Sequence, residues 1–512
     1  MASSLTKDAA RQSSAAAAPG GEKGFFGHPR GLATLFMTEM WERFSFYGMR
    51  ALLPLYLIAG GPAADKGSQG GGLAMTAATA TAIYSIYMAM VYLLAMPGGW
   101  FGDRVWGPRK TVVISATIIM AGHLTLAVPG EGPFFGGLAL VAIGSGLLKA
   151  NISTMVGHLY DGPDDPRRDG GFTVFYMGIN VGAFAAPLVI GTVGQNYSWH
   201  LGFALAAVGM GLGLVQFLLG TRHLSERSSV VPKPLSRAER DATLRKSMLW
   251  LLAAAVFYGV VAATGVYTLN WALVPITVIG LVIPVGVLVR ISRDRELSGT
   301  ERSRMKGYIW FFVAAAVFWM IYDQGGSTMS IFGDTKSRDT LFGFGFPSSW
   351  YQSVNPLWIM ALAPVLAWVW VSLARRNREP STTVKFALGL FLVGASFLVF
   401  IVPMAIASDG TKVSPMWLVT IYMIQTVGEL ALSPVGLSVT TKMAPAKYGS
   451  QMMGVWFLAV TAGDCTTSLL SLAGVDLNGT DVVAFEGILA CIAGYAIWTY
   501  RRRVSALTAG TP

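Results

Sequence analysis

Thirteen consecutive residues, Thr38-Glu39-Met40-Trp41-Glu42-Arg43-Phe44-Ser45-Phe46-Tyr47-Gly48-Met49-Arg50, place two carboxylates and two guanidinium groups inside the first long apolar run of the chain. An ionisable side chain at membrane depth costs roughly 2.5 kcal/mol or more on insertion scales, so it persists where it lines a polar cavity, meets an opposite charge or carries protons or ions. Four in one run imply a polar interior. Three more charges lie deep in later runs: Lys149 within Gly144–Ser153, Asp323 within Phe318–Ser327 and Glu429 within Gly428–Ser438. Lys149 is too far from the ends of its run to snorkel, so it calls for a carboxylate. The cations come from the first half of the chain and these two carboxylates from the second. An Arg50–Asp323 or a Lys149–Glu429 pair would therefore bridge the halves as a gate, each charge stabilised while paired and costly if buried alone. Protonating the carboxylate breaks the pair, which links a proton to a conformational step.

These charges need elements to hold them. Of the 512 residues, 53% are hydrophobic and 13% charged, against about 25% charged in soluble domains. Runs of roughly 20 residues, enough to cross a hydrocarbon core of about 30 Å, fall at 32–59, 75–101, 111–128, 134–158, 171–193, 199–221, 248–266, 270–290, 307–331, 350–374, 384–407, 415–440, 450–470 and 482–500. The expected fold class is thus an all-α polytopic membrane protein with fourteen transmembrane helices. Basic connectors at 222–246 and 291–306 divide the runs into six, two and six. That division suggests two six-helix bundles with an inserted two-helix hairpin, the major facilitator architecture, in which the substrate site lies between the halves near the midplane. The expected organisation is a disordered cytoplasmic tail over 1–30, an N-terminal bundle over 31–221, linkers and inserted pair over 222–306, a C-terminal bundle over 307–503 and a cytoplasmic tail over 504–512.

Lys and Arg concentrate in alternate loops, with Arg104, Arg109, Lys110, Arg167, Arg168, both basic connectors, Arg375, Arg376, Arg378 and Arg501–Arg503 on one side and only Lys66, Lys336, Arg338 and Lys412 on the other. Short cytoplasmic loops carry this excess, so both termini are expected inside a cell membrane. The net charge of +11 then reflects topology and attraction to lipid headgroups, and no nucleic-acid partner is expected. Cys465 and Cys491 have neither a Cys-x-x-Cys spacing nor clustered His, so no disulfide or metal site is expected. Neither a Gly-x-Ser-x-Gly elbow nor a His-Glu-x-x-His motif occurs, which argues against a membrane-embedded enzyme. The glycines from Gly60 to Gly72 read as a flexible outer loop. Asp464, Glu486, His123 and His158 read as structural polar residues.

Two signatures narrow the class. The loop Gly98-Gly99-Trp100-Phe101-Gly102-Asp103-Arg104-Val105-Trp106-Gly107-Pro108-Arg109-Lys110 resembles the Gly-x-x-x-Asp-Arg-x-x-Gly-x-Arg-Lys signature of major facilitators. Glu39-x-x-Glu42-Arg43-Phe44 with Tyr47-Gly48, then Phe172-Thr173-Val174-Phe175-Tyr176-Met177-Gly178-Ile179-Asn180 and the run from Glu429 to Ser438, resemble the proton-dependent oligopeptide transporters of bacterial type, over nearly all of 31–503. The resemblance implies inward symport of protons with di- and tripeptides, driven by the proton gradient with no cofactor, by a chain working as a monomer. The alternative within the same fold is another small solute, such as nitrate or an amino-acid-like compound.

By position, the resemblance assigns proton coupling to Glu39, Glu42, Arg43, Lys149 and Asp323. It places Arg50 at the peptide carboxylate or the outer gate, Asn180 and Asn355 on the peptide backbone or termini, Glu429 with Ser433 at the peptide ammonium, and Tyr92, Tyr176 and Trp456 as aromatic pocket walls. Packing between helices remains the alternative for those three rings, and interhelical hydrogen bonding for the two amides. The chain departs from the family at Phe46-Tyr47, where two tyrosines are common. The missing hydroxyl would remove a hydrogen bond worth about 0.5–1.5 kcal/mol if it met the peptide. Where animal relatives carry a histidine, the chain has Ser85 beside Tyr84.

Overall fold

The computed structural model describes residues 24–64, 70–162 and 165–507. Of the expected tails at 1–30 and 504–512, residues 1–23 and 508–512 lie outside them, as do Lys66 and part of the glycine loop. A chain this apolar has no water at membrane depth to satisfy its backbone, so helices that pair every N–H and C=O internally are the available solution. Among the described residues, fourteen long helices form: α1 Gly31–Ile58, α2 Ala77–Phe101, α3 Pro108–Leu126, α4 Glu131–Gly157, α5 Arg168–Ala186, α6 Trp199–Gly220, α7 Arg237–Ala263, α8 Asn270–Ser292, α9 Gly299–Tyr322, α10 Tyr351–Arg375, α11 Thr382–Ile406, α12 Met416–Met443, α13 Gly449–Leu472 and α14 Thr480–Thr499. Twelve are apolar and long enough to cross a membrane by composition alone. The other two, α1 with its buried charges and α3, are embedded against α5 and α6 and against α4 and α6 respectively. Residues 501–507, read as the end of a bundle and a tail, form a short helix, Arg501–Leu507.

Local chemistry sets several boundaries. Thr76 caps α2 by accepting from Thr79 N–H at 3.2 Å. Ser236 and Ser298 each form a capping box, with Glu239 and Glu301, at the starts of α7 and α9. Such caps satisfy backbone donors that the first turn leaves orphaned. In the signature loop, a Cβ at Gly98 would stand 2.5 Å from the Gly146 carbonyl, so glycine is what lets α2 and α4 touch backbone to backbone.

Apolar packing separates the molecule into two cores. One gathers residues from Leu32 to Leu224, together with Leu273 and Ile331. The other runs from Leu288 to Val504. Between them in sequence, α7 buries only Val261, while α8 packs against α2 and α13. The connectors are tied down by polar contacts. Lys233 and Leu235 N–H donate to the Asp103 and Arg104 carbonyls at 2.9 and 3.2 Å, and Arg104 reaches Glu239 at 2.7 Å. After α8, Asp294 accepts from Lys447 at 2.8 Å and from the Tyr448 hydroxyl. Those two donors hold its carboxyl well below the usual carboxylate range.

Candidate functional site

The residues on α1 recur at 39, 42, 43, 46 and 50, one face of a 3.6-residue helix, and that face turns inward: Glu39, Glu42 and Arg43 are 4%, 0% and 5% exposed. Arg43 Nε lies 3.1 Å from Glu39 Oε1 and 2.5 Å from Glu42 Oε2. Neither contact has aligned hydrogen-bond geometry, and Arg43 Nη2 and Glu39 Oε2 have no partner; the cluster is held by charge proximity. Glu42 Oε1 also accepts from Ser145 on α4 at 3.2 Å. Two carboxylates thus share one guanidinium. The Lys149 ammonium sits over the faces of Tyr92 at 3.6 Å and Phe457 at 4.9 Å, a cation–π arrangement, and is near enough to Glu39, Glu42 and Asp323 to feel their charges.

Two turns further along α1, Arg50 Nη2 contacts Asp323 Oδ1 at 3.3 Å, an ion pair between the two halves. Arg50 Nε donates to the Tyr84 hydroxyl. Asp323 opens a 3-10 turn, Asp323–Gly326, that interrupts α9 before a short helix, Thr328–Thr335. Glycine lets that turn pack tightly on α2, since a Cβ at Gly326 would stand 1.8 Å from the Tyr84 hydroxyl oxygen and push that side chain aside. Across the cleft, Glu429 on α12 accepts from the Tyr322 hydroxyl and from Asn355 Nδ2 at 3.3 Å. Asn355 also donates to Tyr322 at 2.7 Å and to Thr426 at 2.9 Å. Ser433 lies one turn beyond Glu429 on the same helix and is half-buried. Asn180 is buried and donates to the Tyr176 carbonyl of its own helix at 3.0 Å, while the Tyr176 ring is exposed within electrostatic reach of Glu429 and Tyr47.

Three expectations change. Lys149 and Glu429 are not paired: the ammonium rests on two aromatic faces and the carboxylate on Tyr322 and Asn355, so each charge is satisfied locally. Trp456 is 2% exposed and packs edge-on against Phe386 over Gly436; it fills the second core, and the neighbouring Phe457, turned about 100° around the helix, is the ring at the cleft. Phe46 is 3% exposed, stacked on Tyr87 beneath Arg43, so the absent hydroxyl belongs to a packed position rather than to a substrate contact. Sequence reasoning passed over Tyr322, Tyr84 and Phe457, whose adjacency to assigned residues was the available signal.

The hydrogen bonds and ion pair joining the halves gather at midplane and at the end bearing the α1–α2 connection. Gln195 Nε2 reaches Ser348 Oγ at 2.8 Å and Asp334 at 3.3 Å, Ser349 N–H donates to Gln195 at 2.8 Å, Trp350 donates to Thr192 at 2.8 Å, and Ser471 donates to the Ala78 carbonyl at 2.7 Å. Buried charges of both signs on facing helices of two bundles, clasped at one end, define a solute transporter of the major facilitator type. The profile of the POT family matches residues 109–476. The chain is 44% identical to the uncharacterised transporter YclF of Bacillus subtilis, over 92% of this chain and 94% of that one. It is 40% identical to the di-/tripeptide transporter of Lactococcus lactis subsp. cremoris, over 94% and 97%. The crystal structure of peptide transporter POT in complex with sulfate superposes with a TM-score of 0.89 at 43% identity, covering 95% of this chain and 97% of the other. This chain belongs to the POT family of transporters.

Proposed function

We infer that this protein is a proton-coupled symporter that imports di- and tripeptides through a cleft between its two bundles, alternating access between the two faces of the membrane. The observation that carries the proton coupling is the α1 cluster, in which Glu39 and Glu42 are buried against a single Arg43: two anions on one cation favour taking up a proton. Peptide as the solute is supported by the relatives named di-/tripeptide transporter and by anchors of opposite sign in opposite halves, which suit a zwitterion. In this reading Glu429, held by Asn355 and Tyr322 and flanked by Ser433, takes the peptide ammonium. Arg50 lies at the carboxylate end and serves with Asp323 as the outer gate, and Asn180, Tyr176 and Tyr92 line the wall. Lys149 and Asp323 complete the proton path with Glu39, Glu42 and Arg43.

The Lys and Arg distribution supports cytoplasmic termini; in that orientation the clasp at Gln195, Ser348 and Trp350 is external and the conformation is closed outward. The chain is expected to work as a monomer in the cell membrane. Uptake of labelled dialanine into proteoliposomes tests the reading: accumulation driven by an inward proton gradient, abolished by a protonophore and competed by unlabelled dipeptide, is expected. Uptake of dialanine that ignores the gradient, or no uptake at all, would sink it.

A further inference from the structure

Asp464 on α13 was left as a structural polar residue by the sequence, yet it is buried at 1% exposure opposite Asp323, itself 4% exposed. The two helices pack together here, Thr467 Oγ1 on α13 donating to the Met320 carbonyl on α9 at 3.2 Å, the carboxyl groups lie within electrostatic reach of each other, and the Oδ2 atom of each is buried with no hydrogen-bond partner. A carboxylate cannot donate, so two such oxygens can satisfy each other only with a proton on one. Charge counting agrees. Among the described residues, the cation touching this pair is Arg50; Tyr84 and Tyr47 beside it are neutral phenols, Lys149 acts on Asp323 from α4 without touching it, Glu429 adds a more distant negative charge, and Cys465 next along α13 is a buried thiol. One guanidinium compensates one negative charge, and two adjacent buried carboxylates cannot both ionise.

We propose that Asp323 and Asp464 form a dyad that shares one proton while the outer gate is closed, making Asp464 a second proton-holding residue of the gate. With one shared proton the dyad carries a single negative charge, balanced by Arg50. A second proton arriving from outside neutralises both carboxyls and leaves Arg50 without an anion, so the pair separates and the gate opens. Release of one proton inward restores the singly charged dyad and the ion pair. The proton balance is one taken from outside and one delivered inside per cycle at this site. The idea rests on the symport reading for its role in transport, but the sharing itself does not.

Two measurements test it. In infrared difference spectra of the purified transporter without substrate at neutral pH, a protonated-carboxyl band present in the wild type is expected to vanish in Asp464→Asn and equally in Asp323→Asn, because either carboxylate left alone beside Arg50 ionises. Loss in only one variant, or in neither, overturns the shared proton. In liposomes, Asp464→Asn is expected to move the half-maximal pH of gradient-driven uptake about one unit toward alkaline, since the singly charged pair loses a carboxylic O–H that stabilises the Asp323 anion more than an amide N–H does, so Asp323 becomes easier to protonate, and Asp464→Glu to restore it. An unchanged profile overturns the role in gating. Absence of dipeptide uptake with the infrared result intact would instead count against peptide as the solute.

Discussion

Glu42, fully buried between Arg43 and Ser145, is placed so that a change in its protonation alters the whole α1 cluster. Glu42→Gln keeps the shape and removes the titration. Gradient-driven uptake is expected to be lost while exchange of peptide down its own gradient persists, and normal gradient-driven accumulation by the variant would take Glu42 off the proton path. At the opposite wall, Glu429 already accepts from two neutral donors, which pins the carboxylate in place for an ammonium. A charge-assisted hydrogen bond there is worth about 1.5–3 kcal/mol. Acetylating the peptide N-terminus is therefore expected to weaken competition by roughly tenfold to a hundredfold, and equal competition by free and acetylated dipeptides would count against this role. Both acids were legible in the sequence as charges at membrane depth. Tyr322 was not, because a tyrosine in an apolar helix reads equally well as packing until the helix that faces it is known.

The element that most depends on tertiary context is α9, which breaks at Asp323 into a 3-10 turn and brings Gly326 against Tyr84. Gly326→Ala would drive a methyl into the Tyr84 hydroxyl and displace it from Arg50, so slowed transport with retained folding is expected. Rates equal to wild type would show that the Tyr84 contact is dispensable. The Arg50–Asp323 pair across this turn invites a double-variant cycle. Arg50→Asp and Asp323→Arg are each expected to abolish transport and their combination to recover part of it. Coupling is read cleanly only if each single change makes no new contact, and no recovery, together with cross-links placing the positions apart when the outside is closed, would remove the pair as a gate.

For the molecule as a whole, rocking requires the clasp around Gln195, Ser348 and Trp350 to part. Gln195→Cys with Ser348→Cys, in a background lacking Cys465 and Cys491, is expected to lose transport on oxidation and regain it with reductant. Transport unaffected by a formed disulfide would show that this end does not open. The contacts of Asp294 with Lys447 and Tyr448 behave differently with pH. A carboxyl held below its ordinary range contributes its contact above that range and loses it as pH falls through the lowered value, so the attachment of the inserted helices to the second core is expected to survive mildly acidic conditions. Limited proteolysis of the 291–306 connector at falling pH checks this.

The fourteen apolar runs fixed the helices, since backbone groups in lipid have no alternative partner, and the alternation of Lys and Arg carried an expected orientation. The signs of the buried charges told which half offers cations and which carboxylates, because a charge at that depth is too costly to be incidental. What the sequence left open was which charge meets which. Arg50 finds Asp323, yet Lys149 turns to Tyr92 and Phe457 instead of Glu429, and the pocket-wall role expected of Trp456 falls to Phe457 through one step of helix rotation. Asp464, solitary along the chain, comes within electrostatic reach of Asp323, more than a hundred residues away. Pairings of this kind depend on distances of a few ångströms between elements that are remote in sequence, and only the packing of the two bundles sets those distances.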